Sequence, residues 1–198
     1  VECRQVVVCG IDLAGISQRP PDAGVPPVVV RLEQQGGPVR DKRGVVGAFQ
    51  TMISSDKDFL PTRVSYKLDL KGPSINVQTA CSTSLVAVHM ACQSLLAGEC
   101  DMALAGGVNL YLHPSALTAL SSMKMLSPSG RIKSFGKDSD GFVPGEGVGV
   151  LLLKPLSKAV PDRDPIHAVI RGSAVNNDGA GKVSYLAPSV DGRHAFRA

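Results

Sequence analysis

The sequence predicts a layered α/β fold, and two observations carry that expectation. Short apolar, β-prone runs alternate with longer apolar stretches of helical length, the order that gives a sheet covered by helices. The best-defined pair is Ser74-Ile75-Asn76-Val77, a strand signal, followed by the nearly uninterrupted apolar run Leu85 to Ala97. Few residues in that run are β-branched, and Gly98 just past its end supplies a left-handed cap. Cys81 therefore falls where a strand turns into a helix. Unpaired N–H groups and the positive dipole end of a helix stabilise a thiolate and can hold a developing oxyanion. Cys81 is a candidate nucleophile on these grounds; the bland alternative is a buried, inert thiol, a common state of free cysteine.

Taken in order, Gln5 to Cys9 is a Val-rich run ending at Gly10 and predicts a buried strand. From Ile16 to Arg43 breakers are dense (Pro20-Pro21, Pro26-Pro27, Gly36-Gly37-Pro38), which predicts loop or disorder. Ala48 to Ile53 leads into Ser55 to Thr62, where Ser55 or Asp56 can cap a helix continuing through Lys67. Ser74 to Gln78 is an edge-like strand, apolar at Ile75 and Val77, and such an edge invites pairing with another chain. After the 85–97 helix comes a strand at 102–108, with Gly106-Gly107 permitting close backbone approach. Leu117 to Met125 is a further helix, running into a turn at Leu126 to Arg131 set by Pro128 and Gly130. Gly145, Gly147 and Gly149 have the look of a phosphate loop, but a nucleotide loop should open a helix. Here Val150 to Leu156 reads as a strand, so the glycines are assigned to tight turns. Ile166 to Gly179 predicts a strand ending in an Asn/Asp/Gly turn, and Ala187-Pro188-Ser189 opens a helix.

Composition narrows the function classes. A net charge of +4 with 4% aromatic residues offers neither a strong basic patch nor a stacking platform, which argues against nucleic-acid binding. No apolar run approaches a membrane span and no signal peptide precedes the first strand, so no membrane partner is expected. Five cysteines without a Cys-x-x-Cys spacing point to reduced thiols in the cytoplasm rather than a disulfide framework or a zinc site.

Three blocks together resemble a known family: Thr79-Ala80-Cys81-Ser82-Thr83-Ser84, the upstream run Arg63 to Ser74, and Asp101 to Asn109. With Ser134 to Val150 and Ile166 to Gly179 they are similar to a β-ketoacyl synthase, more narrowly the ketosynthase domain of a modular type I polyketide synthase. The resemblance covers Gly47 to Ala198, with residues 1–46 as a poorly matching segment. It implies the N-terminal half of a thiolase-like α-β-α-β-α sandwich, cut before the family's catalytic histidine motifs. It implies further that Cys81 carries the growing acyl chain as a thioester. Substrates would arrive on the phosphopantetheine arm of an acyl carrier protein, with a malonyl-type extender and no bound cofactor or metal. Two copies of the full domain would pair through the 74–78 edge as a homodimer. Phe135-Gly136 stands where the family usually has Phe-Asp. Gln78 and Thr83 stand where many relatives have Asp and Ser, which is similar to trans-acyltransferase or hybrid peptide–polyketide lines.

The histidines are weighed against that mechanism. His89 lies two turns inside the nucleophile helix, about 12 Å along its axis, and reads as a packed or surface residue. His113, His167 and His194 occupy no catalytic motif of the family. The family's two catalytic histidines belong to His-Gly-Thr-Gly-Thr and Asn-x-Gly-His segments, and neither occurs in these 198 residues. Cys92 and Cys100 lack the strand–turn–helix setting and read as structural; Cys3 and Cys9 stay open. Two functional classes remain: a carbon–carbon bond-forming enzyme represented by its nucleophile part, or a non-elongating partner that keeps fold and dimer surface. Non-condensing partners commonly lack the cysteine, so Cys81 favours the first. With no histidine motif, the 198 residues alone are expected to be inactive.

Overall fold

The computed structural model describes residues 5–9, 28–34, 47–111, 114–185 and 187–189. One mixed sheet organises them. Its strands are β1 (Val6–Cys9), β2 (Val28–Gln34), β3 (Ser74–Asn76), β4 (Ala103–Leu110), β5 (Gly147–Pro155) and β6 (Ile166–Ile170), in the spatial order β3-β2-β4-β5-β1-β6. β2 runs parallel to both β3 and β4; the β4–β5, β5–β1 and β1–β6 pairs are antiparallel. The helices are α1 (Ala48–Ser55), α2 (Phe59–Leu68), α3 (Thr83–Ala97), α4 (Pro114–Ser122) and the single turn α5 (Leu156–Ala159).

Both faces of the sheet are covered, which is why its central strands are apolar without strict alternation. One core joins Val6, Ala103, Ala105 and Leu153 to Ala87, Ala91, Cys92 and Leu95 of α3. The other joins Val7, Met102, Leu104 and Leu152 to Leu60, Val64 and Leu68 of α2 and to Ala159 of α5. Adjacent residues in one strand go to opposite cores because side chains alternate across a sheet. Ala103 and Ala105 are small because α3 lies directly over them, and Gly106 is smaller still. A Cβ there would stand inside contact distance of the Gly149 carbonyl and 2.9 Å from Val150 Cα. The predicted close approach at Gly106 is therefore real and its partner is β5.

Four expectations need correction. The Pro/Gly-rich stretch 16–43, expected as loop or disorder, contains β2; three consecutive valines form a strand where β3 and β4 offer ladders on both sides. Asp56 caps no helix start: it closes α1, and its carboxylate accepts from the Asp58 N–H at 3.3 Å, so the helix that runs through Lys67 begins only at Phe59. Gly147 and Gly149 lie within β5 rather than in turns, and they open no helix, as the rejection of a phosphate loop requires. The fourth concerns α3. Counted with the turn before it, Ala80–Ala97 is long and apolar enough to cross a membrane by length and composition; a count that starts at Leu85 misses this. Its buried Ala87, Ala91, Cys92 and Leu95 pack on the sheet, the behaviour of a core helix. The helix foreseen at 117–125 lies at Pro114–Ser122, and Gly98 caps α3 with φ 77° as expected. The helix foreseen after Ser189, and Cys3, His113 and His194, lie outside the described residues.

Beneath the second core, Lys154 is buried and pairs with Asp162 and Asp164. Burial pushes its ammonium pKa down, but the hydrogen bonds and charges of the two aspartates outweigh this and the net shift is upward. Cys100 is also buried; desolvation, helped by Glu99 and Asp101, pushes its thiol from 9.0 up to about 12. Both groups give the same sign. Unfolded chain releases the Cys100 proton near 9.0 while the native thiol keeps it to about 12, so the unfolded state binds fewer protons between those values. The Lys154 contribution is likewise complete below the unfolded lysine pKa and lost as pH rises through the native one. Stability should hold between pH 6 and 8, below the unfolded pKa of both groups, and fall steadily above pH 9. Urea unfolding midpoints across pH 6–11 check this; a midpoint that rises or stays level above pH 9 contradicts it.

Candidate active site

The turn that presents Cys81 is built from a short strand, a strained residue and a hydroxyl clamp. β3 ends at Asn76, Val77 drops into the α3 core, and the chain turns through a single 3₁₀ turn, Ala80–Ser82, into α3. Ala80 has φ 51°, the left-handed region, which costs a non-glycine residue about 1–2 kcal/mol. Such strain persists only where surrounding bonds over-determine it. Those bonds centre on Thr83, 1% exposed. Its Oγ1 donates to the Ala80 carbonyl at 2.7 Å and accepts from the Thr79 N–H at 2.7 Å. The Ser82 hydroxyl closes the other side by donating to the Thr79 carbonyl at 2.8 Å. Thr79 and Thr83 together form a signal that sequence reading passed over: hydroxyls four residues apart can lock the first turn of a helix.

Cys81 stands at the apex of this turn and is exposed, whereas Cys9, Cys92 and Cys100 are buried. Desolvation raises the thiol pKa of each of those three, as burial in apolar surroundings must. The described cysteines thus divide by burial, with Cys81 exposed and Cys92 and Cys100 covered. Cys9, left open by the sequence, belongs with the covered ones. All four described cysteines are free.

Beside the turn, Lys57 donates to the Gln78 side chain at 2.6 Å, tying the α1–α2 junction to the segment before the nucleophile. On the other side a cleft of about 530 Å³ opens between α3 and the segment after β6, within the size range of small-molecule sites. Ser82, Leu85, His89, Ile170, Ser173 and Asn176 contribute to its lining. His89, read as a packed or surface residue, is half-buried, and its Nδ1 lies 2.9 Å from the Ser173 hydroxyl. His167 sits within β6, on the sheet edge and remote from the turn in sequence and topology. Among the described residues no group of His, Cys, Asp and Glu is placed to hold a metal ion.

The mixed sheet covered on both faces, with a strand-to-helix turn leading into a core helix, has the thiolase-like architecture of ketosynthases. Residues 8–159 match the family described as Beta-ketoacyl synthase, N-terminal domain, and the chain belongs to that family. Over most of its length it is similar to polyketide synthases. A phenolphthiocerol/phthiocerol polyketide synthase of Mycobacterium tuberculosis is 55% identical over 141 residues, 71% of this chain and 10% of that protein. Polyketide synthase PksL of Bacillus subtilis is 52% identical over 127 residues, 64% of this chain and 3% of that protein. The solved ketosynthase from module 6 of the bacillaene synthase of Bacillus subtilis 168 matches with TM-score 0.71 at 36% identity, covering 91% of this chain and 30% of that one. The 198 residues thus correspond to part of a polyketide synthase ketosynthase domain.

Proposed function

We propose that Cys81 is the acyl-carrying nucleophile of a condensing reaction. The observation that carries this is the exposed thiol at the apex of a clamped strand–turn–helix junction, in a chain whose other described cysteines are buried. The Cys81 thiolate attacks the carbonyl of an acyl thioester held on the phosphopantetheine arm of an acyl carrier protein. A new carbon–sulfur bond forms and the carrier thiol leaves. A malonyl-type thioester on a carrier then loses carbon dioxide, and the enolate so formed attacks the Cys81 thioester carbon. Cys81 leaves as thiolate and the β-ketoacyl chain stays on the carrier. The Cys81 N–H, in the turn that opens α3, is one donor for the tetrahedral oxyanion. Charge stabilisation during decarboxylation falls to histidines of the two family motifs, which these residues do not contain.

Two surface features support a larger assembly around this site. Tyr66, Leu85 and Val148 are each more than three-quarters exposed, and such apolar exposure suits contact with further polypeptide. The free side of β3, with Ile75 exposed at the sheet edge, suits pairing with a second copy. The test of the catalytic reading uses the ketosynthase domain that contains this sequence, with an acyl carrier protein and a malonyl carrier protein. Intact-mass measurement should find the acyl group on Cys81 and a β-ketoacyl species on the carrier, both lost in Cys81→Ala. Residues 1–198 alone should yield no β-ketoacyl product. Condensation that survives Cys81→Ala would refute the assignment.

A further inference from the structure

The cleft has two unlike walls. One is α3 with the turn before it, anchored in the core through Ala87 and Ala91. The other is the segment 171–176 after β6, which belongs to no helix or strand. Ser82, the neighbour of Cys81, lies on the first wall, while Ser173 and Asn176 lie on the second. A side-chain bond spans them, from His89 Nδ1 to Ser173 Oγ at 2.9 Å, joining residues 84 positions apart. Catalytic geometry is sensitive to displacements of about 1 Å, and an irregular segment is set by its side-chain links more than by its backbone.

We propose that His89 is a positioning residue for the chemistry at Cys81. By holding Ser173 it sets the distance of segment 172–176 from α3, and with it the width of the passage in which a thioester approaches the nucleophile turn. His89 touches no reacting atom. The inference rests on the reading of Cys81 as the acyl carrier and adds to it a residue two helical turns away.

The experiment uses the ketosynthase domain containing this sequence and the probe hexanoyl-N-acetylcysteamine, with acylation of Cys81 followed by mass as probe concentration varies. Three variants are compared. His89→Phe keeps ring volume without the hydrogen bond. His89→Asn returns an amide nitrogen near the position of Nδ1. Ser173→Ala alters an exposed residue and leaves the helix core untouched. Loss of one hydrogen bond should raise KM for acylation by roughly threefold to tenfold in the Phe and Ala variants, with kcat within about twofold. Iodoacetamide, a far smaller reagent, should alkylate Cys81 at an unchanged rate. The Asn variant should recover most of the loss, and His89→Phe with Ser173→Ala should be no worse than either change alone. An unaltered KM in both single variants, or losses that add independently, overturns the inference while leaving the role of Cys81 intact. Absence of acyl on Cys81 in the unaltered domain overturns the reading of Cys81 and this inference with it.

Discussion

Brief treatment of the folded chain with iodoacetamide at pH 8 should modify Cys81 and leave Cys92 and Cys100 essentially untouched. Two effects act together. Alkylation needs a thiolate and access. Cys81 is exposed at the apex of its turn, whereas Cys92 and Cys100 are buried in the core under α3. A thiol pushed up to about 12, as Cys100 is, has a thiolate fraction of about 10⁻⁴ at pH 8, since each pH unit below the pKa is a factor of ten. Cys92 and Cys9 are shifted in the same direction by desolvation. The initial rate at Cys81 should exceed those at the buried thiols by about 100-fold or more, and Cys81→Ala should remove the fast phase. Peptide mapping after a short pulse reads this directly. Fast labelling of Cys92 or Cys100 in a sample whose far-UV spectrum shows it folded would mean that the reactive thiol has been misassigned.

Gly106→Val should unfold the protein or lower its stability by several kcal/mol, although local preference argues the other way. Valine is favoured in strands over glycine, by up to about 1 kcal/mol in host measurements. At position 106 that gain is overwhelmed, because a Cβ would meet the backbone of β5: the Gly149 carbonyl and, 2.9 Å away, Val150 Cα. Backbone in a central strand paired on both sides cannot swing aside as a side chain can. Overpacking of this kind costs typically about 1–3 kcal/mol and more where backbone must shift. The control lies opposite. A Cβ at Gly149 meets nothing within 4 Å, so Gly149→Ala should be neutral or stabilising by up to about 1 kcal/mol. Urea unfolding of the two variants beside the parent chain separates packing from propensity; equal effects at both positions would show that β4 and β5 are not in this register.

Much of the site was legible because its chemistry is local. A β-prone run, small residues, Cys81 and a long apolar run with a terminal glycine dictate a strand, a turn and a capped helix within a few residues. The edge character of β3 was legible for the same reason, from its polar composition. Less legible was anything that depends on a distant partner. Val28-Val29-Val30 is surrounded by prolines and glycines and reads as loop until β3 and β4 flank it with ladders. Gly147 and Gly149 read as turn residues until β4 pairs with them. Asp56 was a reasonable helix cap by type, but whether a carboxylate starts one helix or ends another is set by the backbone on both sides.

What the sequence by itself determined was the strand–turn–helix frame that presents Cys81, since Cys81, the hydroxyls around it and the apolar run behind it are contiguous. It also carried the family, through ordered blocks from Arg63 to Gly179. Tertiary structure alone decided which cysteines are buried, because burial depends on what covers a residue rather than on its neighbours in the chain. It also decided the pairing of His89 with Ser173 across 84 positions, and the need for glycine at 106. Each of these is a contact between segments whose separation in sequence carries no information about their distance in space.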